Sequence, residues 1–213
     1  GAFYLKRTLL FGVIGLLIMR VMSVRGVRIV RPLTGALVFV SLVGLVAVMV
    51  PGIGMEVNGA RRWISAGFFQ IQPSEFAKVA LVLYGAHLLA TRPQLTRSVA
   101  DMGPFLAAVG VVCMLVALEP DLGTAMVCCL GAAALLLTAG ARVRDLALIA
   151  AALGVLVLIA ILIEPYRMER LTGFLNPSHD PAGTGFQATQ ARIALGSGGI
   201  LGVGLGESVQ KAF

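Results

Sequence analysis

The stretch Gln72-Pro73-Ser74-Glu75-Phe76-Ala77-Lys78 sets two opposite charges three residues apart at the start of an apolar run. Pro73 suits the first turn of a helix, and Glu75 then lies near the positive N-terminal end of that helix, which is reason enough for an acid there. Lys78 is harder to explain structurally. A spacing of three puts it on the same helix face as Glu75, and an ionisable residue entering a membrane span usually faces the protein interior and marks function. The pair is expected in a polar cavity at the outer leaflet. Asn58-Gly59-Ala60-Arg61-Arg62-Trp63 sets two guanidinium groups beside an aromatic ring. Such a group either anchors the chain at a membrane interface or forks onto phosphate or pyrophosphate oxygens, and the residues leave both open. In Glu119-Pro120-Asp121-Leu122-Gly123, Asp121 reads as the N-cap of a helix that begins after a proline break.

The stretch from Asn176 to Gln187 (Asn-Pro-Ser-His-Asp-Pro-Ala-Gly-Thr-Gly-Phe-Gln) holds two prolines and two glycines that impose a turn presenting His179 and Asp180. Asp before Pro is common in turns, so spacing alone leaves Asp180 open between turn former and reactive carboxylate. His179 has weaker support as a base. The glycines from Gly196 to Gly206 make no phosphate-binding loop, since no Gly-Lys-Ser/Thr follows them.

The elements that must carry these residues are apolar. Hydrophobic residues make up 58% of the 213 and charged residues 13%, against roughly 45–50% and about 25% in soluble domains. Mean hydropathy is +0.94. Runs at 3–22, 33–50, 73–91, 104–118, 122–140 and 146–163 approach the roughly 20 residues that cross a bilayer, and each is expected to be a transmembrane helix. The fourth is short and calls for burial among its neighbours. Lys6 and Arg20, near the ends of the first run, can snorkel to the interface. No signal peptide is expected, since Gly1 is not an initiator and no charged region precedes a cleavage site.

The net charge of +7 would suggest nucleic acid as the partner of a soluble protein. Here the bases sit in short connections: Arg20, Arg25, Arg28 and Arg31; Arg92 and Arg97; Arg142 and Arg144. These are every second connection, which the positive-inside rule places in the cytoplasm, so no nucleic-acid partner is expected. The opposite side receives 51–72, 119–121 and everything after 163. Glu56, Glu75, Glu119, Asp121, Glu164, Glu169, Asp180 and Glu207 gather there, with only Asp101 and Asp145 on the other side. Acids have little say in topology, so their gathering suggests an outward functional surface; the plainer alternative is that acids follow loops. Residues 164–213 contain no clear span and are expected to form a large, partly helical outer cap. Cys113, Cys128 and Cys129 lie inside apolar runs without metal-ligand spacing and read as small buried apolar residues.

Taken together these segments resemble the SEDS family (shape, elongation, division and sporulation) of peptidoglycan glycosyltransferases. The resemblance is carried by Pro51-Gly52-Ile53-Gly54 with Asn58 through Ile64, Gln72 through Glu75 with Lys78, Glu119 through Thr124, Asn176-Pro177 through Gln187 with Gln190, and Gly204 through Lys211. Each motif is weak alone; five in order are specific. Asn176-Pro177 and Gly206 through Lys211 favour the division branch, although the sporulation branch shares much of this. The resemblance implies an all-α, polytopic transmembrane helical bundle with a large extracytoplasmic loop and more spans than this chain carries, so the chain is expected to be incomplete.

The resemblance also implies an activity: polymerising lipid II, a disaccharide-peptide on undecaprenyl pyrophosphate, in the bacterial inner membrane at the division septum, with the active site facing outward. A class B penicillin-binding protein transpeptidase, other divisome proteins and membrane lipids are the implied partners, and Mg²⁺ or Mn²⁺ the candidate cofactor. Asp180 resembles the family's essential acid and takes the general-base role. Glu75 and Lys78 resemble its polar pair, Lys78 holding Asp180 or a substrate phosphate. Arg61 and Arg62 are candidates for the pyrophosphate, and Arg7, at the outer end of the first run, resembles a family arginine. The rival readings are a lipid II flippase and a non-catalytic divisome scaffold. A carrier needs ionisable residues deep in the bilayer, whereas here they cluster at one face.

Overall fold

In the computed structural model, the described residues are 2–57, 60–66, 69–176, 180, 183, 185–199 and 202–204. The chain divides into two compact units, Gly1–Ala147 and Leu148–Phe213. Every apolar run becomes a helix: α1 (Ala2–Arg25), α2 (Thr34–Met49), α3 (Pro73–Thr91), α4 (Gly103–Leu118), α5 (Leu122–Thr138) and α6 (Val143–Ile163). The segments Thr8–Arg25, Arg31–Met49 and Val143–Ile163 are long and apolar enough to cross a membrane, while α4 and α5 are apolar but shorter. The run at 122–140 ends early as a helix because Gly140, at φ +87°, turns the chain. Gly140 N–H donates to Leu137 O and Ala141 N–H to Leu136 O, the paired reverse bonds that close a helix through a left-handed glycine.

The first unit has its core where α2, α3, α4 and α5 meet. Leu45 and Val48 of α2, Ala77, Ala80 and Leu81 of α3, Phe105, Val109, Val112 and Val116 of α4, and Ala125, Cys128, Ala132 and Leu136 of α5 are buried. The spacings of three and four put each set on one helix face. The opposite faces expose Phe76, Val79, Met114 and Leu130, as a helix bundle in lipid requires. Gly85 lets α3 and α4 approach closely: a Cβ there would lie 2.5 Å from the Phe105 ring and 2.9 Å from a Leu135 methyl, the small-residue contact typical of membrane helices. Cys128 is buried as expected, whereas Cys113 and Cys129 are only part-buried, their sulfurs 3.5 Å apart.

The connection 51–72 also holds a small sheet that the reading of the sequence did not anticipate. Strands β1 (Gly54–Val57), β2 (Ala60–Ala66) and β3 (Phe69–Ile71) pair antiparallel in that order. Gly54 faces Ile64, Met55 faces Trp63, and the register shifts before Glu56 faces Arg61. Gly54 fits where it does because a Cβ would lie 1.9 Å from Val48 O, so the first strand starts tight against the end of α2. The sheet therefore sits at the end of the bundle where α2 stops, α3 starts and α4 turns into α5.

In the second unit, α6 is followed by α7 (Pro165–Leu175) and α8 (Phe186–Gly198). Pro165 occupies the first turn of α7, where its missing N–H costs nothing. Arg167 Nη1 donates to Ala160 O at 2.9 Å, tying the first turn of α7 to the last turns of α6. Ile193 and Leu195 of α8 are exposed.

Candidate functional site

The polar residues of the first unit converge at the end of the bundle capped by the sheet. Lys78 Nζ donates to Glu75 Oε1 at 2.8 Å, as the spacing of three predicts. Lys78 is half-buried on the side of the helix that starts with buried Pro73 and Ser74. Across the β1–β2 pair, Arg61 Nε lies 3.5 Å from Glu56 Oε2. Both residues are exposed, so this pair adds little stability and leaves the guanidinium accessible.

Arg62 points elsewhere. Its Nε donates to Glu119 O at 2.9 Å, and its Nη2 donates to Pro120 O. The fork that could have met a phosphate grips two successive carbonyls of the α4–α5 turn. Asp121 caps α5 as expected: Oδ1 accepts from Thr124 N–H at 3.1 Å, and Oδ2 accepts from Thr124 Oγ1 at 2.9 Å. Gln72, the residue preceding α3, reaches Asp121 Oδ2 from Nε2 at 3.4 Å. The turn is thus tied to β2 by Arg62 and to the start of α3 by Gln72.

Glu119 stands in the sequence as one of the outer acids and as the first residue of the Glu119–Thr124 motif, and its environment is the least expected feature of the site. It is 2% exposed, and both carboxyl oxygens lack a hydrogen-bond partner among the described residues. Burial, and then the neighbouring Asp121, push its carboxyl up to about 7, against a smaller opposing pull from Arg62. Ser74 Oγ is likewise buried without a partner.

Asp180 lies in the second unit, in the approach to α8. Its Oδ1 accepts from Gly183 N–H at 3.0 Å, and its carbonyl accepts from Gly185 N–H at 2.9 Å. The turn runs directly into the helix, Phe186 N–H donating to Gly183 O. A Cβ at 183 would fall 2.1 Å from Asp180 Oδ2, so only glycine leaves the carboxylate where it is. Asp180 is exposed, and the backbone hydrogen bond from Gly183 fixes the direction of its carboxylate. His179 lies outside the described residues, as does the side chain of Arg7, whose backbone belongs to α1. So do Asn58, Gly59 and the terminal motif after Gly204.

The family described as "Cell cycle protein", which groups FtsW, RodA and SpoVE, matches residues 1–213. The chain belongs to that family. It is 40% identical over 212 residues to a "Probable peptidoglycan glycosyltransferase FtsW" of Coxiella burnetii, covering 99% of this chain and 57% of the relative. It is 36% identical over 213 residues to the "Stage V sporulation protein E" of Bacillus subtilis, covering 99% and 58%. Among solved structures it superposes with TM-score 0.66 at 39% identity on one described as "Structural coordination of polymerization and crosslinking by a peptidoglycan synthase complex", covering 81% of this chain and 51% of that one. The chain therefore spans about half the length of the curated relatives it matches. The FtsW/RodA/SpoVE helical bundle is its fold, and with three span-length apolar helices it is an integral membrane protein.

Proposed function

We propose that the whole protein of which this chain is part polymerises lipid II into glycan strands, as the peptidoglycan polymerase of septal wall synthesis. The observation that supports this most is the match to relatives named as peptidoglycan glycosyltransferases over nearly every residue of the chain, which takes in all the chemistry-bearing segments. In the proposed reaction the 4-hydroxyl of an acceptor sugar attacks the anomeric carbon of a donor. Asp180 takes the hydroxyl proton as the new C–O bond forms, a service worth roughly 10²–10⁴-fold. The bond to the lipid pyrophosphate breaks, and its electron pair leaves on the phosphate. Lys78, with Glu75 orienting it, and Arg61 meet the charge that develops on the leaving group. Arg7 is carried as a further contact by resemblance alone. Arg62 reaches the substrate only through the donors that its grip on Glu119 O and Pro120 O leaves over.

Mg²⁺ or Mn²⁺ belongs to the proposal as an ion carried in on the pyrophosphate, where it would neutralise oxygen charge. Among the described residues no group of three His, Cys, Asp or Glu side chains could hold one, and no step depends on it. The proposed setting is the bacterial inner membrane at the septum, with the sheet end outward, lipid II as substrate, and a class B penicillin-binding protein and other divisome proteins as partners. The assay that tests the reading is the full-length protein with its cognate transpeptidase on lipid II. A ladder of glycan chains supports polymerisation. Movement of lipid II across a vesicle membrane without chains supports a flippase instead.

A further inference from the structure

The α4–α5 turn combines three features that do not fit a passive connection. Glu119 is nearly sealed at 2% exposure; its two carboxyl oxygens have no donor among the described residues; and the cation beside it, Arg62, spends Nε and Nη2 on the carbonyls of Glu119 and Pro120 instead of on the carboxyl. A buried carboxylate without donors is strongly disfavoured, whereas the neutral acid is tolerated. A resident metal ion is a poor answer, because Arg62 already supplies the positive charge and Asp121 is committed to capping α5.

We propose that Glu119 is a proton-operated latch. While its carboxyl is neutral, the Glu119–Asp121 turn stays folded beneath β2 under the Arg62 strap. When the proton leaves to water, the turn and the strap must part or rearrange, because among the described residues the cation that favours the new charge is the one holding the carbonyls. The movement would reach the starts of two helices at once, through Asp121 at α5 and through Gln72 at α3, three residues ahead of Glu75. Among the described residues the charged groups around Glu119 are few. Asp121 of its own turn opposes ionisation and Arg62 of β2 favours it. On α3, Glu75 and Lys78 pair with each other; on the sheet, Arg61 pairs with Glu56; α2 and α4 carry no charged residue.

The sign follows from the raised carboxyl. A group whose proton is held more tightly in the folded state contributes stability that is fully present below its ordinary range, near 4.5, and is lost as pH rises to about 7. The test is the melting temperature of the full-length protein in lipid nanodiscs from pH 5 to 8.5, wild type against Glu119→Gln. The latch predicts that the wild type loses on the order of 5–10 °C across that range, and that Glu119→Gln removes most of this slope. A variant with the wild-type slope would overturn it. Should Glu119→Gln fail to fold, Arg62→Gln decides: with the opposing charge gone the pH midpoint moves upward, and an unmoved midpoint counts against the latch. Neither readout needs the proposed activity, so a failed polymerisation assay and a failed latch are distinguishable.

Discussion

At the scale of residues, the chain separates side chains that hold the fold from those left to do chemistry. The two adjacent arginines show this best. Arg61 keeps an exposed ion pair with Glu56, while Arg62 is a backbone clamp. Nothing in the local sequence distinguishes them, because the targets of Arg62 are carbonyls 57 and 58 positions away, and carbonyls leave no sequence signature. Asp121 was legible, since an acid after a proline break has a cap to make. Glu119 was not, since its burial depends on tertiary packing around the α4–α5 turn. Lys78→Arg keeps the charge but replaces a compact ammonium with a planar fork; steady-state polymerisation by the full-length protein should fall at least tenfold, with the protein still folded. Gly183→Ala should displace the Asp180 carboxylate that now occupies the space of the added methyl. Its expected signature is a lowered kcat with little change in KM for lipid II, a loss of transition-state stabilisation alone.

At the scale of elements, the six apolar runs each coincide with a helix. Apolar runs bounded by Pro73, by Pro104 and by the arginine-bearing connections fixed α2 through α5 within a few positions, because composition decides what can enter a bilayer. The sheet was missed although one signal for it was present. Asn58-Gly59 is the dipeptide favoured in two-residue hairpins, and it falls between the paired residues Val57 and Ala60. Assigning 51–72 only to a side of the membrane leaves that signal unread. Close helix contact is a second property that spacing alone did not reveal. Gly85→Val should push α3 from Phe105 and Leu135 and destabilise the bundle by about 1–3 kcal/mol. Thermal unfolding of the variant in detergent checks this, and an unchanged melting temperature would mean that α3 and α4 are not packed at this position.

At the scale of the whole molecule, the sequence pattern reads the basic connections and the gathered acids as two faces. The Lys78–Glu75 pair, the arginine-bearing sheet and the buried Glu119 do collect at one end of the first unit. Asp180 is held in the second unit by a turn of its own. Family membership rests on the match along residues 1–213, and the mechanism proposed for the complete protein gives the base role to that one carboxylate. The direct measurement is lipid II polymerisation by the full-length protein with its transpeptidase partner, wild type against Asp180→Ala, with glycan chains resolved on a gel. Long chains from the wild type and none from a folded, membrane-inserted Asp180→Ala are the predicted result. Chains made by the variant at the wild-type rate would contradict the assignment of Asp180 as the base.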